Sequence, residues 1–225
     1  AYPEGFGYWD YGTSNTVMML SAMEKIWKTD YGLSQMPGFM KSAGYIANMI
    51  GPTGFCFNYS DSGLSGSLFP TMFWFATKSK DVSVLWDQRK YMESGKKFTG
   101  NGLLPALMIW GSGIRLAGIE APKEKMWVGN GVTPVSLMRT SWTDPNAIYL
   151  GFKCGRASAG HGRMDAGSFI MEANGVRWSG DLGTENYNAL ESKGIDIWRS
   201  TQRWQVFRYT NYVHNTLTVN NLLHT

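Results

Sequence analysis

The sequence predicts an α+β chain, helical in its first half and antiparallel β in its second. Apolar residues recur at helical spacing as far as Trp110. After Ala121-Pro122-Lys123 that spacing gives way to short alternating runs rich in β-branched and aromatic residues. Asn174-Gly175, between Ile170-Met171-Glu172-Ala173 and Val176-Arg177-Trp178, is a type I′ hairpin signal, because both central residues of that turn need positive φ.

The elements follow in order. Pro3–Thr13 reads as an aromatic, glycine-rich loop. Ser14 or Asn15 then caps a helix over Thr16–Lys28, with Val17, Leu20, Met23, Glu24 and Trp27 setting the period. Ser34 opens a second helix, Gln35–Ile50, with Pro37 in its first turn and Gly51-Pro52 ending it. Residues 51–67 are rich in Gly, Ser and Asn and read as a loop. Helical spacing resumes at Pro70–Thr77, Val82–Met92 and Leu103–Trp110. Apolar helices separated by long polar loops predict helical hairpins around a common core, and loops of that length point to function. Strands are expected at Val135–Thr140, Ala147–Lys153, Ala166–Ala173, Val206–Tyr209 and Asn215–Val219, in an antiparallel sheet of sandwich type. The change of period near Trp127–Gly131 divides the chain into 1–128 and 129–225.

Composition narrows the function classes. Hydrophobic residues make up 43% of 225, with 10 Trp, 11 Tyr and 11 Phe, which is enough apolar material for a core and excludes a disordered chain. The aromatic excess suits both core packing and a carbohydrate-facing cleft. The net charge of +4 is compatible with an anionic ligand, and no Lys/Arg run resembles a nucleic-acid arm. The spacing of Cys56 and Cys154 dictates no disulfide. No apolar stretch is long enough to span a bilayer. No leader precedes Tyr2 and the chain does not open on Met, so a piece of a longer protein is expected.

Few residues are equipped for proton transfer. The histidines are His161, His214 and His224. His161 stands in Gly160-His161-Gly162-Arg163-Met164-Asp165, ahead of an expected strand, and Tyr8 stands in Gly5-Phe6-Gly7-Tyr8-Trp9-Asp10-Tyr11-Gly12. Asn58, Tyr59 and Asp61 sit on a polar loop that suits either a cleft or ordinary turn chemistry. Arg203 and Arg208 lie in an aromatic-rich run, where they serve either as bidentate anion binders or as ion pairs covering Trp204. Glu4 either orients the Tyr8 loop or is a plain exposed carboxylate. Trp110 is either a sugar platform or a core ring.

Taken together, Tyr2–Thr13, Phe57-Asn58-Tyr59-Ser60-Asp61-Ser62, Gly160–Leu182, Ser200–Tyr209 and His214-Asn215-Thr216-Leu217 resemble, in order, the heparinase II/III-like polysaccharide lyases, and heparinase II in particular. The resemblance implies the later helices of an (α/α) toroid over 1–128, followed by the start of an antiparallel β-sandwich over 129–225. It implies a secreted or periplasmic bacterial enzyme, a possible homodimer, that cleaves an anionic uronate polysaccharide by β-elimination. Tyr8 falls on the family's catalytic tyrosine, and His161 falls on the histidine that positions or neutralises the uronate; the neighbouring Tyr11 is either structural or substrate-lining. In such chemistry an acid must protonate the leaving oxygen and a base must take the C5 proton. A phenol serves as base only beside positive charge. The family's uronate-neutralising residue lies on an upstream helix, so these residues alone are expected to be inactive.

The resemblance also bears on metal. The positions of a structural zinc in heparinase II correspond here to Arg163, Asp181 and His214. Arginine stays protonated and does not ligate zinc, and structural zinc wants four ligands. The expectation is that Arg163 replaces the cation and pairs with Asp181, with no cofactor required and zinc retention doubtful. Two rival readings stand: a glycoside hydrolase on a helical toroid, which needs two flanking carboxylates from among Glu4, Asp10 and Asp61, and a catalytically silent glycan-binding protein on a lyase scaffold.

Overall fold

The computed structural model describes residues 2–95, 101–157 and 162–224, with the backbone alone at Ser200. Helices come first and a five-stranded antiparallel sheet follows.

The first helix, α1 (Phe6–Trp27), begins ten residues before its expected start at Thr16. The reason lies in its hydrogen bonds. Asn15 Nδ2 donates to Tyr11 O and Thr16 Oγ1 to Gly12 O, while Ser14 Oγ donates to Asp10 Oδ1. These polar side chains bond back one turn instead of capping a helix that starts after them. Phe6, Trp9, Val17 and Leu20 make the buried stripe. Lys28, in the left-handed region at φ 60°, ends the helix.

The second expected helix is broken. Leu33–Gln35 and Met40–Ser42 are 3-10 turns and only α2 (Ala43–Asn48) is α-helical. Met36 is extended ahead of Pro37, as the proline ring requires, so Pro37 interrupts this segment instead of starting it. Next come α3 (Thr71–Ser79), a 3-10 turn at Val82–Leu85, α4 (Trp86–Glu93) and α5 (Leu104–Trp110). Met72, Phe73, Trp74, Phe75 and Ala76 are all buried, which makes α3 the central helix, with α1 and α5 packed against it. Each such large side chain contributes about 1.5–3 kcal/mol when withdrawn from water. Trp110 packs on this core and donates Nε1 to Ser21 Oγ at 2.9 Å, which is the core reading of that ring.

Strands β1 (Met126–Gly129), β2 (Val135–Arg139), β3 (Tyr149–Lys153), β4 (Phe169–Ala173) and β5 (Val176–Ser179) form a simple antiparallel meander in chain order. Asn174 and Gly175 both have positive φ, 54° and 73°, as the hairpin signal predicted. Strict alternation on β2 and β3 turns Val135, Leu137 and Arg139, and Tyr149 and Lys153, to the buried side. Val135, Leu137, Tyr149 and Ile170 share one apolar cluster with the helices, and β1 crosses the expected 128/129 boundary.

Two expected strands are absent from the described residues. Phe207–Tyr209 is a 3-10 turn, because Val206 and Tyr209 pack with Ile197 into a small satellite core instead of pairing with the sheet. Residues 215–219 are tied to the end of the sheet by side chains. Asn215 Nδ2 donates to Phe169 O, Ser179 Oγ and Gly180 O, and Thr216 Oγ1 to Ala166 O. Both cysteines are free, and burial pushes the Cys56 thiol up to about 12.

Gly5 at the head of α1 is at φ 93°, and a Cβ there would run into Ser62 Oγ and sit 3.0 Å from Tyr59 O. Gly5→Ala is therefore expected to cost about 1–3 kcal/mol, read as a lower urea midpoint in equilibrium unfolding.

Candidate functional site

The head of α1 is anchored by the loop that follows α2. Tyr59 Oη donates to Tyr2 O at 2.6 Å, which uses its single proton, so in the 2.6 Å contact with Tyr45 Oη the donor is Tyr45. Ser62 Oγ donates to Glu4 O at 3.3 Å. Tyr8 thus stands in the first turn of a helix and not on a loop. Its ring is 37% exposed and lies parallel to that of Tyr2, 6.5 Å between centroids with 6° between planes. Partial burial raises the Tyr8 pKa, and the charges of Glu4 and Asp61 and the Tyr2 ring raise it further. Tyr8 therefore holds its proton at neutral pH. Tyr11 is on the exposed side of α1.

Asp61, whose charge is felt at Tyr8, is the hub of a buried cluster. Its side chain is buried, and its oxygens are taken by Arg163 Nη2 at 2.5 Å and by the Tyr187 hydroxyl. Burial, and then the bond to Asp61, push the Tyr187 phenol far above its ordinary value. Arg163 is 0% exposed, donates Nη1 to Gly183 O and faces the Tyr209 ring at 4.7 Å.

Asn58 and Tyr59 are buried, which corrects the expectation that this loop faces a cleft. Asn58 Nδ2 donates to Asp181 O at 3.0 Å. Arg208 donates to Leu182 O and Thr184 O and pairs with Glu185 at 3.0 Å. Arg203 is buried over the rings of Tyr209 and Trp204 and donates to Ile197 O and to Gly162 O at 2.7 Å. Both arginines hold backbone, so neither guanidinium is presented as an anion fork. Arg203 fixes the carbonyl next to His161, which itself lies outside the described residues.

Arg163 does not pair with Asp181, as expected, but with Asp61. The partner of Asp181 is His214, whose Nδ1 is 2.8 Å from Asp181 Oδ2. Burial opposes the charged form of Asp181, but the His214 hydrogen bond and charge, the Gly183 N–H and the Arg163 charge outweigh it and hold the carboxyl below its ordinary range. His214 Nε2 is buried without a hydrogen-bond partner. No group of three or more His, Cys, Asp or Glu suited to a metal occurs among the described residues. With a guanidinium at the third position, Asp181 and His214 do not fit a tetrahedral zinc centre. His224 Nε2 lies 2.9 Å from Leu217 O, away from this cluster.

Sequence reasoning missed Tyr187 and Tyr45. Both work through a single hydroxyl–partner contact between residues far apart in the chain, Tyr187 with Asp61 and Tyr45 with Tyr59, and neither carries a local pattern.

Residues 136–225, from β2 to the end of the chain, match the family model described as heparinase II/III-like, C-terminal. Over those residues, the later part of the chain, the protein is similar to that family. Its fold is that of two solved structures. One is a heparinase III gene product with methylated lysines (TM-score 0.52, 18% identity, covering 92% of this chain and 29% of that one). The other is a mutant of the heparan sulfate lyase HepC from Pedobacter heparinus (TM-score 0.55, 14% identity, covering 98% and 31%). Identities this low carry the fold alone, and the chain spans about three-tenths of the length of either structure. These two are named for heparinase III and heparan sulfate lyase, whereas the sequence resemblance pointed to heparinase II. No curated protein sequence matches the chain.

Two outcomes follow from the cluster. Arg163→Met strands a buried carboxylate and is expected to cost about 3–5 kcal/mol, with Arg163→Met/Asp61→Leu recovering part of the loss; urea unfolding at neutral pH measures both. Because the folded-state pKa of Asp181 is depressed, its stabilisation is full above the ordinary carboxylate range and fades as pH falls through the folded value. Asp181→Asn should therefore be less stable than the parent at pH 7, by about 1.5–3 kcal/mol, with the gap closing in acid; unfolding curves at a series of pH values report it.

Proposed function

We propose that the full-length protein is a polysaccharide lyase that cleaves a uronate-containing glycan of the heparan sulfate type by β-elimination. Tyr8 is the general acid and His161 positions the substrate carboxylate. In this reading, residues 1–128 are the later part of a helical toroid and 129–225 open a β-sandwich, in a secreted or periplasmic enzyme. Among the described residues, no helix is long and apolar enough to cross a membrane.

Tyr8 carries the reading. It is an exposed phenol on ordered backbone, next to a parallel aromatic ring, with a pKa raised by burial and by Glu4 and Asp61. A phenol that keeps its proton is suited to donating it to the C4 oxygen as the glycosidic bond breaks. The same environment opposes a resting phenolate, which favours the acid role over the base role. Removal of the C5 proton builds enolate charge on the neighbouring carboxylate, which has to be neutralised by a group facing it.

The hydrolase reading is weakened by the carboxylates. Asp61 has both oxygens occupied by Arg163 and Tyr187. Asp10 accepts hydrogen bonds from Ser14 and Thr71, and burial raises its pKa. Neither makes a free pair across a cleft.

The full-length protein is expected to raise the ultraviolet absorbance of heparan sulfate, chondroitin sulfate or alginate as unsaturated uronyl ends form, and Tyr8→Phe to lower kcat at least about 100-fold. Undiminished turnover in Tyr8→Phe would falsify the acid role. New reducing ends without absorbance would mean hydrolysis, and binding with neither signal would mean a silent glycan-binding protein.

A further inference from the structure

The ring of Tyr2 that flanks Tyr8 also borders a cleft of about 840 Å³ between the helices and β1. This volume falls in the range of small-ligand sites. The far wall of the cleft is Trp127 on β1, and Lys41 and Asn130 supply polar groups along it.

Trp127 is held in place by what surrounds it. Its ring packs on Tyr45 at 5.6 Å between centroids and 44° between planes. A Cβ at Gly44 would lie 2.6 Å from its Nε1, and a Cβ at Gly129 would overlap the ring. Two glycines thus clear the space for the indole, while part of the ring stays open to the cleft. The ring has one settled pose before any ligand arrives, which lowers the ordering cost of stacking against it.

The cleft lining carries one charge of each sign, Lys41 and Asp81. Lys41 is exposed and has no carboxylate partner among the described residues. Asp81, the acidic residue on the same lining, already accepts from Ser83 N at 2.9 Å and Ser83 Oγ at 2.6 Å as a helix cap. Those bonds turn Asp81 toward its own helix start without removing its charge, and Lys41 is the cation on this lining that has no carboxylate partner among the described residues. A neighbouring cleft of about 560 Å³ that also reaches Trp127 carries Lys80 and Lys123 together with Asp81, Glu120 and Glu124.

We propose that the Tyr2–Trp127 cleft is a second subsite for the glycan, taking a further acidic sugar residue of the chain whose reacting residue lies at Tyr8. The sugar ring stacks on Trp127, and its carboxylate or sulfate pairs with Lys41. This rests on the glycan-lyase reading for the identity of the ligand. The feature specific to it is an aromatic wall and an unpaired cation in one cleft, joined to Tyr8 through Tyr2.

The test is calorimetric titration of the full-length protein, in a Tyr8→Phe background that does not turn over, with disaccharides and octasaccharides of heparan sulfate and of alginate. Lys41→Ala, at an exposed side chain, should weaken octasaccharide binding about threefold and flatten its salt dependence. Trp127→Ala should weaken it about fivefold. Disaccharide binding at Tyr8 should be unchanged in both. If neither octasaccharide binds, or if binding is indifferent to Lys41→Ala, the subsite is overturned, whether or not Trp127→Ala folds. Cleavage by the Tyr8-intact protein with a KM indifferent to Lys41→Ala would sink the subsite and leave the lyase reading standing. Lys41-sensitive binding without any cleavage would do the reverse.

Discussion

The buried pair between Arg163 and Asp61 is the contact on which the surrounding structure depends. Two opposite charges withdrawn from water gain little net stability over an apolar pair, but neither tolerates the loss of the other. That asymmetry fixes topology. Asp61 belongs to the loop after α2, Arg163 to the segment before β4, and their partners Tyr187 and Gly183 to the stretch after β5. Three distant parts of the chain must therefore meet in one arrangement before any of these polar groups is satisfied. The same loop carries Tyr59 and Ser62, which hold the backbone just ahead of Tyr8.

The join between helices and sheet follows similar logic. Arg139 on β2 stacks on Trp142 at 3.6 Å and donates to Asn48 O and Ile50 O, and the Tyr149 hydroxyl also reaches Asn48 O. Glu172 on β4 accepts from Thr53 N and from Arg177, which in turn donates to Cys56 O. Apolar packing supplies the attraction between the two halves, while these directional bonds to main-chain groups set the register in which they dock. The inward face of a sheet is usually apolar. Here it carries Arg139, Lys153 and Glu172, each with a partner, because the opposing surface includes irregular backbone whose carbonyls and amides need satisfying.

The order of helices and strands was legible because period and turn chemistry are local. The Asn174-Gly175 hairpin, the spans of β2 and β3, and helices near 71–79 and 104–110 follow from neighbouring residues alone. The misses were tertiary. Ser14 and Asn15 look like caps until their bonds to the preceding turn are seen. Val206–Tyr209 has strand composition, yet its side chains find a nearer core. The helical setting of Tyr8 was hidden by Gly7 and Gly12, which lower helix propensity without forbidding helix. The partner of Arg163 was out of reach, since a guanidinium has no sequence signature for which of several carboxylates it meets.

Tyr8 rides near the start of a 22-residue helix whose buried stripe, Phe6, Trp9, Val17 and Leu20, secures it against the core and α3. A phenol borne by a hinge or lid would swing toward its ligand. This one is fixed to a rod about 33 Å long, so its coordinates are set by folding and not by binding. On the lyase reading proposed above, any closing movement around Tyr8 therefore belongs to other segments, with this helix as the stationary jaw.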